Sequence, residues 1–378
     1  MVSTAQLVDI ARDAGCAGLG VTGAGEFEGV AAALAQRQQS GLAGKLKFTY
    51  KDPVRAADVR RSFPWAESIV VVSWPYMPQA GSPDPGTAST GRIARFAAED
   101  QYRGLRAALA ILEEHLLAED WRAAPVVDDD RLVDRAAAVR AGVAWWGKSA
   151  MVLDPRHGPW LLLGSVITDA LLDRTQPMNR DCGTCVACMP ACPTGAIIEP
   201  GVLDASLCLA HWTQSPGIVP RPLRTAMGDR IYGCDECLVA CPPGYKAMSG
   251  GPVGSGRVDL LTLLATDDIA LLARYQNFYV PRNNPRFLRR NALIALGNAT
   301  ALAQASGDAA DGEVAENLAV LGGYLGSPDE IYRIHAAWAI ARIGGADAVT
   351  MLEHQKGLEK SERVAAEIEA CLEEVSGE

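Results

Sequence analysis

Apolar positions along the chain change their spacing several times, and the changes mark out its elements. "TAQLVDIARDAG" places Leu7, Val8, Ile10 and Ala11 at helical spacing, and "AGLGVTG" follows as a strand. "SIVVVSW", residues 68–74, is a β-branched apolar run ended by Pro75, which predicts a strand. "QYRGLRAALAILEEHLLAEDW", residues 101–121, returns to helical spacing and predicts an amphipathic helix. A short strand in "APVVDDD", a helix in "RLVDRAAAVRAGV" and a buried strand in "PWLLLGSVIT" complete an α/β alternation over residues 1–175. The Gly, Pro and Ser of "PQAGSPDPGTASTG", 78–91, predict a surface loop, and "MSGGPVGSGRVD" reads as a linker.

From residue 258 the pattern is helical, with a weak internal repeat. "RRNALIALGNA" aligns with "RIHAAWAIARI", so that Arg289 matches Arg333, Ala292 matches Ala336, Ala295 matches Ala339 and Leu296 matches Ile340. The interval of 44 residues falls in the roughly 40–47 range of HEAT-type helix pairs. An ordinary helical bundle is the alternative.

At 378 residues the chain is long enough for two or three domains. It is 49% hydrophobic and 21% charged, as an ordinary folded protein is. The N-terminus has no basic region followed by an apolar run, and no stretch is apolar enough to span a bilayer. A reducing, cytoplasmic setting is therefore the expectation, and there disulfides are rare. A net charge of −10 argues against a general nucleic-acid binder but leaves room for a local basic surface. "PRNNPRFLRRN" is one candidate, with Arg282, Arg286, Arg289 and Arg290 and no acid.

Eight of the ten cysteines lie between 182 and 241. Cys182, Cys185, Cys188 and Cys192 form C-x2-C-x2-C-x3-C-P, the ferredoxin run for cubane iron–sulfur clusters. Cys234, Cys237 and Cys241 form C-x2-C-x3-C-P, which lacks the first thiol of such a run. Two cubanes need eight ligands, and Cys208 is the nearby candidate that completes the count. The crossed pattern of the run gives one cluster Cys182, Cys185, Cys188 and Cys241, and the other Cys192, Cys208, Cys234 and Cys237. Zinc sites more often come as paired CxxC units without the C-x3-C-P ending.

Asp128, Asp129 and Asp130 end a predicted strand, where an acid can project into a cleft or merely cap the next helix. These pieces meet in one family. "GRIARFAAEDQYRGL", "VVDDDRLVDRAAAVRAGVAWWGKSAMVL", "CGTCVACMPACPTGAI", "CLAHWTQSPG" and "MGDRIYGCDECLVACP" occur in the order seen in epoxyqueuosine reductases, and the chain resembles that family over nearly its whole length.

The resemblance implies an α+β multidomain protein. It would have an α/β cobalamin-binding domain over 1–175, a ferredoxin-like module with two [4Fe-4S] clusters over 176–250, and HEAT-like helices over 258–378. It implies reduction of epoxyqueuosine at the wobble position of tRNA, with Asp128 as general acid. Arg95, Asp128, Lys148, Ser149, Met151 and Asp235 would line the corrinoid. Thr213 and Gln214 would lie near the substrate, and Arg282, Arg286, Arg289 and Arg290 would meet the phosphates of the anticodon arm. An external low-potential electron donor, a monomeric state and no membrane contact complete the expectation.

Asp129 and Asp130 stand where the family usually has a small "TG" or "SG" pair, "QYR" replaces "DYH", and "AWWGK" replaces a "GWIGK"-like segment. Two rivals fit parts of the pattern. A corrinoid reductive dehalogenase would usually carry an export signal and would not need HEAT-like helices. A non-catalytic electron carrier with a partner-binding tail would need no ordered acid.

Overall fold

The computed structural model describes residues 2–76, 86–248 and 256–376. The chain forms two compact units that it visits alternately. Residues 1–80, 99–208 and 235–252 build the first, and residues 81–98, 209–234 and 253–378 build the second. The second cysteine run is thereby divided, because Cys234 closes one segment of the second unit and Asp235 opens one of the first.

The first unit is built on a four-stranded sheet in the order Gly18–Gly23, Ser68–Pro75, Leu161–Thr168, Ala123–Val126. The α/β alternation is present, but every neighbouring pair of strands is antiparallel. Ile69, Val70, Val71 and Val72 are all fully buried, so their strand is covered on both faces, as its unbroken apolar run requires. One face carries Phe27, Phe63, Leu132, Val143 and the alanines of helix Asp134–Arg140. Helix Gln101–Leu117 packs on strand Leu161–Thr168, burying Leu105, Leu109, Leu112 and Leu116. Gly164 permits that approach, since a Cβ there would lie 2.8 Å from Leu109 Cδ1. Asp100 caps the helix by accepting the Arg103 amide.

The second unit has a three-stranded sheet in the order Arg230–Tyr232, Thr90–Ile93, Gly256–Asp259. Gly256–Asp259 therefore turns the end of the expected linker into an edge strand, whereas 249–255 lies outside the described residues. Of the expected loop 78–91, residues 78–85 also lie outside them, and Thr90 already belongs to a strand. Helix Arg286–Ser306 forms the centre of the unit, buried continuously from Phe287 to Thr300. It packs on Glu330–Ile343, where Gly297 lies so close to Ala339 that a Cβ would be 2.7 Å from its Cα. The aligned positions Ala292/Ala336, Ala295/Ala339 and Leu296/Ile340 are all fully buried. Among the described residues, no helix is long and apolar enough to cross a membrane.

Candidate functional site

The two cysteine runs are series of tight turns. Asp181 accepts the Gly183 amide at 2.6 Å, and Cys185 and Cys192 donate their amides to the Cys182 and Met189 carbonyls. Gly195, at φ +63°, turns the chain away after Cys192–Pro193. Cys237 lies in the short helix Glu236–Val239, and Cys241 precedes helix Pro242–Ala247, where proline fits the first helical position. Trp160 secures that helix by donating its indole N–H to the Gly244 carbonyl at 3.0 Å.

The thiols bring the end of one run to the start of the other. Burial pushes Cys241 up to about 11, and Cys182, Cys188 and Cys185 add repulsion in the same direction. Burial also raises Cys188, again with repulsion from Cys182 and Cys185. The last cysteine of the second run therefore shares a neighbourhood with the first three of the first run. Cys188 and Cys241, held beside two more thiols at a cost to their own charged forms, suit a group that draws them off as thiolates. Cys192 accepts the Ala196 amide at 3.2 Å, and Thr194 donates to the Leu207 carbonyl at 2.7 Å, tying the turn after Cys192 to the segment that ends in Cys208. No disulfide joins cysteines among the described residues. Nor do three His, Cys, Asp or Glu side chains there converge on a single-ion site.

"WWGKSAMVL" is a β-hairpin, Trp145–Trp146 against Val152–Leu153. Gly147 donates its amide to the Met151 carbonyl at 2.8 Å, and Ala150 takes φ +62° to close the turn. Lys148, expected at the corrinoid, donates its ammonium to the Gly183 carbonyl at 2.6 Å, inside the first cysteine turn. Ser149 is buried and Met151 half-buried. Asp235, on the second run, is half-buried ahead of helix Glu236–Val239. In the second unit, Arg95 begins the short helix Arg95–Ala98 and is half-buried.

Strand Ala123–Val126 delivers the aspartate triple as expected. Asp128 takes φ +47°, a left-handed conformation that a short polar side chain tolerates, and its side chain is exposed. Asp129 is gripped by Arg131, whose Nε lies 2.8 Å from Oδ1, and that bond holds its carboxyl below the usual range against the opposing effect of burial. Asp130 pairs with Arg55 at 2.8 Å. The two acids that replace the family's small pair are thus both neutralised, whereas Asp128 has no ion-pair partner among the described residues. Sequence reasoning missed Asp134. Burial, then the negative charges of Asp128 and Asp129, push its carboxyl well above the usual range, and its Oδ1 is buried without a partner. Its only signal was a polar residue on the first turn of an alanine-rich helix.

In the second unit the expected substrate contacts divide. Thr213 is 2% exposed, donating to the Ala210 carbonyl and accepting the Gly233 amide at 2.9 Å. Its hydroxyl is spent inside the fold, which corrects its expected role as a substrate contact. Gln214 is half-buried. The Tyr232 ring stacks on Phe278 with centroids 4.0 Å apart, and its hydroxyl donates to the Gln214 side-chain oxygen at 3.4 Å. Arg290 is fully buried and donates to the carbonyls of Trp212, Ser215 and Gly217, so it is not a phosphate contact. Arg289 is 8% exposed and paired with Asp268 and the Thr266 carbonyl, which removes it from the surface as well. Arg286, partly exposed, pairs with Asp329. Arg282 is exposed at φ +57°. The basic run thus presents Arg282 and part of Arg286 to solvent.

Residues 181–244 match the model of the 4Fe-4S double cluster binding domain. An epoxyqueuosine reductase of Bacillus subtilis (strain 168) is 30% identical, the match covering 97% of this chain and 95% of the relative. One of Aliivibrio fischeri (strain ATCC 700601 / ES114) is 32% identical over 71% of this chain and 76% of its own. A crystal structure of epoxyqueuosine reductase with an epoxyqueuosine-modified tRNA-Tyr stem loop superposes with a TM-score of 0.85 at 28% identity, covering 98% of both chains. With a double-cluster cysteine set, an open aspartate at a strand end and relatives that match it from end to end, this chain belongs to the epoxyqueuosine reductase family.

Proposed function

We propose that this chain reduces epoxyqueuosine to queuosine at the wobble position of tRNA. The observation that carries the reading is the aspartate triple, in which Arg131 and Arg55 neutralise Asp129 and Asp130 and leave Asp128 open to a ligand. The reaction consumes two electrons and two protons: both C–O bonds of the epoxide break, a C=C bond forms, and the oxygen leaves as water. Asp128 donates a proton to the oxygen as its first C–O bond breaks, the point at which general acid catalysis acts.

Two [4Fe-4S] clusters, when bound, would supply single electrons taken from an external donor. Cys182, Cys185, Cys188 and Cys241 would hold one, and Cys192, Cys208, Cys234 and Cys237 would hold the other. Cobalamin, when bound, would supply the reducing centre for the epoxide. Asp128, Ser149, Met151, Arg95 and Asp235 are the residues we assign to its surroundings, on the family resemblance of their segments. Lys148 supports the first cluster's loop. The division of labour follows the sequence: cobalamin binding over 1–175, ferredoxin-like cluster binding over 176–250, and HEAT-like helices over 258–378 that place Arg282 and Arg286 against RNA phosphates. Such contacts position an RNA without reading its sequence.

Anaerobic reconstitution with iron, sulfide and cobalamin, followed by an assay on an epoxyqueuosine-containing stem-loop, tests this reading. Cobalamin-dependent alkene product is the expected result. Bound clusters and corrinoid without product would overturn the assignment of the substrate.

A further inference from the structure

We propose that Arg290 and Asn291 are positioning residues, a buried clamp that holds the Thr213–Gln214 corner and the Gly233–Cys234 step in one fixed relation. All of these residues belong to the second unit. The inference rests on the function proposed above only for what the two held segments do.

Asn291 is the pivot. Its Oδ1 accepts two N–H groups of Arg290, at 3.0 and 2.8 Å, which fixes the orientation of the amide. Its Nδ2 then faces two carbonyls from different segments, Thr213 and Ile231, each at 2.8 Å. Arg290 gathers the rest of the corner through Trp212 at 2.8 Å, Ser215 at 2.8 Å and Gly217 at 2.7 Å. Thr213 closes the ring by accepting the Gly233 amide, one residue before Cys234. Tyr232 adds a further tie by accepting the Tyr279 amide at 2.7 Å and reaching Gln214. Arg290 and Asn291 are both 0% exposed.

Arg290 has no carboxylate among these bonds, and a buried cation is costly to keep without one. What it holds is irregular backbone whose carbonyls point inward and would otherwise go unsatisfied. Five N–H groups in a rigid fork suit that task, and a lysine could not span the same three carbonyls. The clamp thus fixes the corner matched to the family's substrate loop together with a ligand of the second cluster. It leaves untouched Cys182, Cys185, Cys188 and Cys241, which lie in the first unit.

The test compares wild-type reconstituted holoenzyme with Arg290→Lys and with Thr213→Val, which removes the Gly233 bond together with the local one to the Ala210 carbonyl. Three readouts are taken: amide exchange at 212–217 and 230–234, the electron paramagnetic resonance signals of the reduced clusters, and KM against kcat on the stem-loop. The clamp predicts that Arg290→Lys speeds exchange in both segments about tenfold, as loss of a charge-assisted hydrogen bond would. It also predicts a shifted signal from the second cluster, an unshifted one from the first, and KM raised more than kcat is lowered. Wild-type exchange and an unshifted second signal in folded Arg290→Lys would overturn it. If that variant fails to fold, the same two readouts in Thr213→Val decide at Gly233 and Cys234. Should wild-type protein not turn over the stem-loop, the function fails while exchange and resonance still judge the clamp.

Discussion

Asp129 and Arg131, two residues apart, are joined by a two-pronged ion pair, with Nε 2.8 Å from Oδ1. The same guanidinium lies 4.6 Å from the centre of the Phe63 ring, so its position is set by the core beneath it. A sequence with three adjacent aspartates thus presents one open acid.

Replacing that acid should stop the chemistry and spare the fold. Asp128→Asn is expected to keep both clusters and bound corrinoid and to lower kcat by about 100- to 10,000-fold, the range for a lost general acid. Single-turnover product analysis with optical spectra checks it, and full activity would remove Asp128 from the mechanism.

The crossed ligand sets predict different losses from Cys241, which ends the second run, and Cys208, which lies between the runs. Cys241→Ala should abolish the cluster that includes Cys182, and Cys208→Ala the one that includes Cys192. Each should leave about half the iron of the two-cluster protein. Iron analysis with resonance spectra of the remaining cluster distinguishes this from an uncrossed arrangement, in which Cys241→Ala would spare the Cys182 cluster.

Lys148→Met keeps the length of the side chain and removes its bond to the Gly183 carbonyl. The first cluster is expected to bleach in air several-fold faster, with the second unaffected, because a charge-assisted hydrogen bond contributes roughly 1.5–3 kcal/mol before solvent exposure weakens it. Stopped-flow absorbance on exposure to oxygen measures it.

His335 is fully buried. Its Nε2 accepts the Val219 amide at 3.2 Å while Nδ1 faces the Ile331 carbonyl at 2.6 Å, so the ring is neutral with its proton on Nδ1. Burial, then Arg224 and Arg290, hold it well below the ordinary histidine range. The folded state therefore resists a proton that the unfolded chain takes up near pH 6.5. Its stabilising effect is complete above that pH and is lost as the pH falls below it, by up to about 1.4 kcal/mol per pH unit. Urea unfolding from pH 7.5 to 5 should show this slope in wild type and a shallower one in His335→Gln.

Arg333 and Glu359 form a second acid-sensitive link, with side chains 13% and 3% exposed and Nε 2.8 Å from the carboxylate. Burial would raise Glu359, but the Arg333 bond, the Ser361 amide and Gln355 outweigh it and leave the group lowered. Its contribution is present above the ordinary glutamate range and disappears as the pH falls through the lower folded value. Arg333→Ala is expected to cost about 3 kcal/mol at neutral pH, as breaking a buried pair does. The difference from wild type should shrink below pH 4.

The cysteines were legible because cluster geometry dictates their spacing, and the strands because their runs match what a covered sheet demands. Pairing direction was not legible, since strand Ser68–Pro75 would read the same in a parallel sheet. Arg289 and Arg290 were misread because four arginines without an acid look like a surface when only sequence neighbours are visible. Their partners, Asp268 and the Trp212–Gly217 carbonyls, lie 21 to 78 residues away. Thr213 was misread for the same reason, since its Gly233 partner lies 20 residues away. Lys148 was singled out by its glycine turn, but its acceptor at Gly183 is 35 residues on.

The alternating path of the chain has a consequence for how it is made. By residue 252 every segment of the first unit has been synthesised. Strand Thr90–Ile93 is made early, yet its partners Arg230–Tyr232 and Gly256–Asp259 emerge more than a hundred residues later. On the ribosome that strand waits with unpaired edges while its neighbours in sequence fold without it. Pairings across such separations are slow and open to aggregation. A nascent chain released before residue 256 would therefore expose a strand that nothing already made can finish covering.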